Sequence, residues 1–241
     1  MLFRSWDRNH ADYGTPAYVD YYRAQLRELL TQYGPIFEVW HDGANGGDGW
    51  YGGANEKRTI EKETYYGWEE TWAIVRELQP EAVIFSDVGP DIRWVGNESG
   101  TGGETTWLTL NTDGWCPGFA DARQLNTGHE DGARWLPPEV DVSIRPGWFY
   151  HAREDRQVHS VRRLVDIYYQ SVGRSGSLHL NLPPDRRGRI HEVDVSRLRA
   201  VRRILDRTFA RDLAAEAAAT ASHTRGRSEE RRVGKECRSR W

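Results

Sequence analysis

The sequence predicts an α/β fold of repeating βα units: the C-terminal portion of a (β/α)8-like barrel whose N-terminal strands are absent. Three observations point there. Short apolar runs alternate with longer stretches of helical period, the pattern of a parallel sheet with helical crossovers. Two of the runs end in an aspartate and a loop, and parallel sheets place chemistry at the carboxyl ends of their strands. Four such runs are visible where a closed barrel has eight, and the chain opens abruptly at Trp6. A small doubly wound sheet is the competing architecture.

Each element follows from local pattern. Tyr18, Tyr22, Leu26, Leu29 and Leu30 recur at helical spacing and predict a helix over 17–32, ended by Tyr33-Gly34-Pro35. Residues 1–5 make a poor start for a domain. Ile36–Trp40 is an apolar run that stops at Asp42 and Gly43, which reads as a buried strand entering a loop. Residues 43–64 are Gly-rich, lack the Lys-Ser/Thr ending of a phosphate loop, and do not have EF-hand spacing, so they read as a rim loop. A helix over 64–78 closes at Gln79-Pro80, and Ala82–Asp87 is the next strand. A polar connection then runs to about Glu139 and carries Trp107, Trp115 and Trp135; loops that long are usually functional or disordered. Asp141–Arg145 and Ser177–Leu182 are the last two strands, with helices over 158–171 and 193–217.

Composition narrows the function. The 241 residues, 38% hydrophobic, suffice for one domain with a sizeable core. Net charge is −3 with no basic stripe, which argues against nucleic acid as a partner. No apolar run approaches the length of a membrane span, and no signal peptide is visible, so localisation is left open. The two cysteines make no disulfide framework or thiolate site, and His10, His129 and His151 share no metal-ligand spacing, so no metal or cofactor is expected. The 11 Trp suit either a core or a sugar-stacking surface.

Six segments in order carry a resemblance. They are Trp6-Asp7-Arg8-Asn9-His10 with Tyr13-Gly14; Gln25–Leu30 with Tyr33-Gly34; Val39-Trp40-His41-Asp42-Gly43; Phe85-Ser86-Asp87 with Gly89–Glu98; Ser143–Tyr150; and Leu180–Asp185. Over residues 6–205 the chain resembles the α-L-fucosidases of glycoside hydrolase family 29. The Asn97-Glu98 segment is similar to the branch acting on α-1,3/1,4-fucosides. The resemblance implies a retaining exo-glycosidase on a (β/α)8-like barrel, with fucosylated oligosaccharides or glycoconjugates as substrate and a parent enzyme that is periplasmic or secreted. By position it implies Asp42 as nucleophile and Glu98 as acid/base. Trp40, His41, Trp94, Arg145 and Trp148 are the expected substrate-binding residues.

Alternatives stand beside these assignments. An Asp before Gly often only caps a loop, Glu104 and Glu139 compete with Glu98, and Asp87 and Asp91 read as turn acids. Trp40 suits the core equally well, and Arg145 an ion pair. The family's N-terminal histidines have no counterpart here. The alternative function is therefore an inactive fragment or weak carbohydrate-binding module, with Ile36–Trp40 and Leu178–Leu182 as exposed sheet edges prone to aggregation. The domain expectation is a partial barrel over 1–217 and a disordered, artefactual tail over 218–241. From Arg225 onward the chain carries seven basic and three acidic residues, net +4, which against −3 for the whole leaves −7 on residues 1–224.

Overall fold

The computed structural model describes residues 2–3 (as backbone), 7–42, 47–215 and 217–218. Part of the rim loop, 43–46, and the tail expectation beyond residue 218 lie outside the described residues. In chain order the elements are β1 (Leu2–Phe3), α1 (Pro16–Gln32), β2 (Glu38–His41), β3 (Gly49–Tyr51), β4 (Glu56–Arg58), α2 (Trp68–Leu78), β5 (Val83–Ser86), β6 (Ile92–Trp94), β7 (Thr109–Leu110), α3 (Ala122–Thr127), β8 (Arg134–Trp135), β9 (Pro138–Ser143), α4 (Val161–Ser171), β10 (Ser177–Asn181) and α5 (Glu192–Thr208). The chain divides into compact units after Val201, and the sheet lies in the first.

Six strands form one parallel sheet in the order β1-β2-β5-β6-β9-β10. The sequence reading found four, because β1 and β6 are too short to show a pattern of their own. Leu2–Phe3 therefore contribute a strand, and β2 is no edge: Leu2 pairs with Trp40 and Phe3 with His41. The outer strands are β1 and β10. The two long connections hold antiparallel hairpins, β3–β4 and β7–β8.

Side-chain contacts show that the sheet curls. In a flat sheet β2 and β9 stand three strand spacings apart, about 14 Å. Yet Trp40 on β2 donates its indole N–H to Glu139 on β9 at 2.7 Å, and its ring lies 5.9 Å from His179 on β10. Only a barrel-like curvature brings one face of these strands together, so the fold is a partial α/β barrel.

Helices cover the convex face. Val39 and Ile84 pack with Leu26 and Leu30 of α1 and Ile74 and Val75 of α2. Val142 and Ile144 pack with Leu164 and Ile167 of α4, joined by Leu178, Leu180, Leu198 and Val201. Helix boundaries follow caps. Pro16 opens α1, and the Ser160 hydroxyl accepts from the Arg163 N–H at the start of α4. α2 starts at Trp68, later than the expected 64, because Gly67 is left-handed at φ 49° and Arg23 ties down the Tyr66 and Gly67 carbonyls. α5 stops at Thr208, short of the expected 217; Phe209 and Leu213 are exposed, so no packed face sustains further turns.

Candidate functional site

Alternation along the parallel strands decides what faces the concave side. Successive residues of a strand point to opposite faces. Val39 belongs to the helix-side core, so Glu38, Trp40 and the residue after β2, Asp42, point inward. By register the same face receives Phe85, Trp94, Glu139, Asp141, Ser143, Ser177, His179 and Asn181. The concave face is thus polar, while the alternate residues form the apolar face under the helices.

Asp42 sits half-buried at the end of β2, beside Asp87 at the end of β5. Burial, then the Asp42 charge, pushes the Asp87 carboxyl up, against the pull of the Gly118 N–H it accepts at 2.9 Å. Glu98 lies four residues beyond β6, the next strand but one from β2. Trp148 donates its indole N–H to Glu98 at 3.3 Å. Asp141 faces Glu98 and accepts the Trp94 indole N–H at 2.8 Å; burial first, and Glu98 after it, raise the Asp141 carboxyl to about 6.

The Glu98 loop is built to be held in place. Gly96 launches it at φ 82°, and a Cβ there would meet the Ala122 carbonyl oxygen at 2.2 Å, so glycine is required. Asn126 donates to the Val95 carbonyl. Arg93, fully buried on the helix side of β6, donates to the backbone carbonyls of Leu125, Leu136 and Trp107 and thereby gathers the 96–137 segment. Burial alone pulls its pKa down to about 10.

The predicted contact residues divide. Trp40, Trp94 and Trp148 lie on or beside the concave face. His41 does not: adjacent to Trp40, it must face the other way. It is fully buried against Trp68, with its Nδ1 2.8 Å from the Tyr22 hydroxyl. Arg145 is likewise engaged within the protein. Its guanidinium is completely buried, bidentate on Asp194 and bonded to Asp155 at 2.9 Å. It anchors the turn after β9 that presents Trp148, with help from Ser143, whose hydroxyl donates to the Gly147 carbonyl, and Asn181, which donates to the Trp148 carbonyl. Of the competing acids, Glu104 is exposed on a segment tied to α4 through Gly102 and Gln170. Glu139 is the second residue of β9, near its amino end and away from the carboxyl ends of the strands. Asp91 accepts from the Ile84 N–H and pairs with Arg76, as a turn acid does.

The sequence reading missed Glu38, Asp141 and His179. The signal for them was present: Glu38-x-Trp40-x-Asp42, Glu139-x-Asp141-x-Ser143 and Ser177-x-His179-x-Asn181 each put a polar or aromatic residue at every second position of an apolar run. Glu38, Glu139 and His179 bring ligand-type atoms within 4.8 Å of one another. Glu139 already accepts from Trp40, His179 and Ser177, and Glu38 hydrogen-bonds to it. That arrangement is a proton-sharing cluster. Among the described residues no helix is long and apolar enough to cross a membrane.

Comparison with known proteins identifies the family. The family model described as alpha-L-fucosidase matches residues 2–208. The chain is 41% identical over 227 residues to Alpha-L-fucosidase 1 of Arabidopsis thaliana, covering 94% of this chain and 42% of that protein. Among solved structures, a glycoside hydrolase 29 family member from an unknown rumen bacterium is 51% identical at a TM-score of 0.80, over 92% of this chain and 40% of that one. A Ruminococcus gnavus fucosidase of the same family, in complex with fucose, is 26% identical at a TM-score of 0.71, over 90% and 46%. The chain spans about two fifths of the length of the curated relatives it matches.

Proposed function

Because the chain belongs to the α-L-fucosidase family, we propose that its concave face hydrolyses terminal α-L-fucose from oligosaccharides or glycoconjugates with retention of configuration. Asp42 is the nucleophile and Glu98 the acid/base. The Asp42 carboxylate attacks the anomeric carbon while Glu98 gives its proton to the departing glycosidic oxygen. That step leaves a fucosyl ester on Asp42 and a carboxylate at Glu98. Glu98 then takes a proton from water, whose oxygen displaces Asp42 and releases fucose.

The observation that carries this reading is the placement of the two acids. They follow strands separated only by β5, Asp42 directly after β2 and Glu98 in the loop after β6, which supports an approach of the two carboxyls of the kind retention asks for. The neighbouring groups suit their roles. Burial and the neighbouring Asp42 charge raise the Asp87 carboxyl, which places the less readily ionised member of the pair beside the proposed nucleophile. Trp148 beside Glu98 and Trp40 one pleat below Asp42 offer flat apolar surface for a sugar. No particular observation favours an inert carbohydrate-binding fragment.

The test is covalent trapping. The chain is incubated with an activated 2-deoxy-2-fluoro-α-L-fucosyl donor, digested, and mapped by mass spectrometry. A fucosyl ester on Asp42, absent in Asp42→Ala, is the expected result. An ester on Asp87 or Glu139 would overturn the assignment.

A further inference from the structure

We infer that Glu139 is the positioning residue for Trp40: clamped by Glu38 and His179, its carboxylate fixes the indole as a floor beneath Asp42. Only the last clause rests on the proposed fucose site.

Trp40 is two residues before Asp42 on the same face of β2, about 7 Å along the strand. Its ring stacks on Phe85 at 4.3 Å and 6°. Stacking alone leaves an indole free to turn over within its plane of contact, since both faces are apolar. One directional contact removes that freedom, the 2.7 Å bond from the indole N–H to Glu139 Oε1. Glu139 can serve as a fixed point because it cannot move itself. Its side chain is 4% exposed, His179 Nδ1 stands 3.0 Å from the same oxygen, and Ser177 donates to the other. Glu38 approaches from β2 and hydrogen-bonds to the same carboxylate. Four side chains from two strands, Glu38 and Trp40 on β2 and Ser177 and His179 on β10, thus converge on Glu139, and Trp40 is the one that leads to the proposed site.

The charges facing the cluster are consistent with one ionised acceptor. Glu38 comes from β2, His179 from β10 and Asp141 from β9 itself, with Glu98 beyond Asp141; β5 and β6 contribute the uncharged Phe85 and Trp94. Burial and the Glu139 charge lift Glu38 to about 7, so it keeps its proton below neutrality. Burial pushes Glu139 up, but the bonds from His179 and Glu38 outweigh it and hold Glu139 below the usual carboxylate range. His179 is raised by its bond to Glu139.

The experiment uses the full chain labelled with 15N-tryptophan, the Trp40 indole resonance being assigned by its loss in Trp40→Phe. In wild type that resonance should lie downfield, exchange slowly with solvent, and titrate with a midpoint near 7 as Glu38 gives up its proton. Glu139→Gln, which keeps the shape and removes the charge, should move the resonance upfield and speed its exchange. The same change should weaken L-fucose binding about tenfold, the value of one charge-assisted hydrogen bond. His179→Gln, on an outer strand, is the variant that stands if Glu139→Gln does not fold. Without the imidazolium pulling on Glu38, the midpoint should rise. A Trp40 resonance and midpoint unmoved in the folded variants would overturn the inference. If wild type binds no fucose, the proposed site falls, while the resonance still decides whether Glu139 holds the indole.

Discussion

Lowering the pH should destabilise this chain through His41 in particular. His41 is fully buried on the helix side of β2, and burial alone holds its pKa down at about 4. The unfolded value is about 6.5, so between those limits the unfolded chain binds a proton that the folded chain refuses. The His41 contribution is therefore constant above about 6.5 and declines as pH falls toward 4. One pKa unit is worth about 1.4 kcal/mol, which gives about 3 kcal/mol fully developed and about 2 kcal/mol at pH 5. Glu38 and Asp141, held up at about 7 and about 6, act in the opposite sense: each stabilises at low pH and loses that as pH rises through its folded value. The wild-type curve thus mixes signs, and a difference is needed. Urea melts of wild type and His41→Phe at pH 7 and pH 5 provide it. The wild type should lose about 2 kcal/mol more than the variant between the two. Parallel changes in both proteins would mean that His41 is solvated or protonated in the folded state, and the reasoning would fail.

Three further outcomes follow from the site. Glu98→Ala should keep much of its activity on an aryl fucoside, whose leaving group needs no proton, and lose several orders of magnitude on an oligosaccharide; equal losses would remove Glu98 as the acid. Arg93→Met strands three backbone carbonyls and should cost at least about 3 kcal/mol, with amide exchange rising first over 96–137; uniform exchange changes would refute its organising role. Asp194→Leu leaves the buried Arg145 with Asp155 alone and should destabilise by about 3–5 kcal/mol in a thermal or urea melt, whereas a loss under about 1 kcal/mol would mean that the pair is solvated.

What the sequence discloses depends on where each element finds its partners. The helices and the four apolar runs carry their own periodicity and are legible within a few residues. β6 is not, since Ile92-Arg93-Trp94 becomes a strand only by pairing with β5 and β9. The 96–137 segment has no period at all; its order radiates from one arginine that points away from the sheet's concave face. Asp42 was legible as a strand-end acid, and Glu98 came from resemblance. The contact between Glu98 and Trp148 spans 50 residues and rests on a turn held by Asp194, so no local pattern announces it. The opposite facing of Trp40 and His41 follows from a rule the sequence does contain: two successive strand residues point to opposite faces.

The tryptophans show what that rule hides. Three of them do the same thing on one face. Trp40 donates its N–H to Glu139, Trp94 to Asp141 and Trp148 to Glu98. Such a face gathers carboxyl groups that repel one another and must be held by donors. Arginine or lysine would hold them more strongly, but each would add a positive charge beside the reacting carbon. The proposed reaction passes through an oxocarbenium-like state that needs negative field, and a cation there would oppose it. An indole N–H is a neutral donor: it orients a carboxylate, relieves part of its desolvation, and leaves its charge uncancelled. The arginines bear this out by position. Arg93 is turned to the helix side, and Arg145 is neutralised by two aspartates beneath the Trp148 turn. His179, whose bond to Glu139 raises its affinity for a proton, sits low on the face, against Glu139 rather than at the carboxyl ends of the strands. The choice of tryptophan over a charged donor is thus what a carboxylate site for a cationic transition state requires, independent of any stacking on sugar.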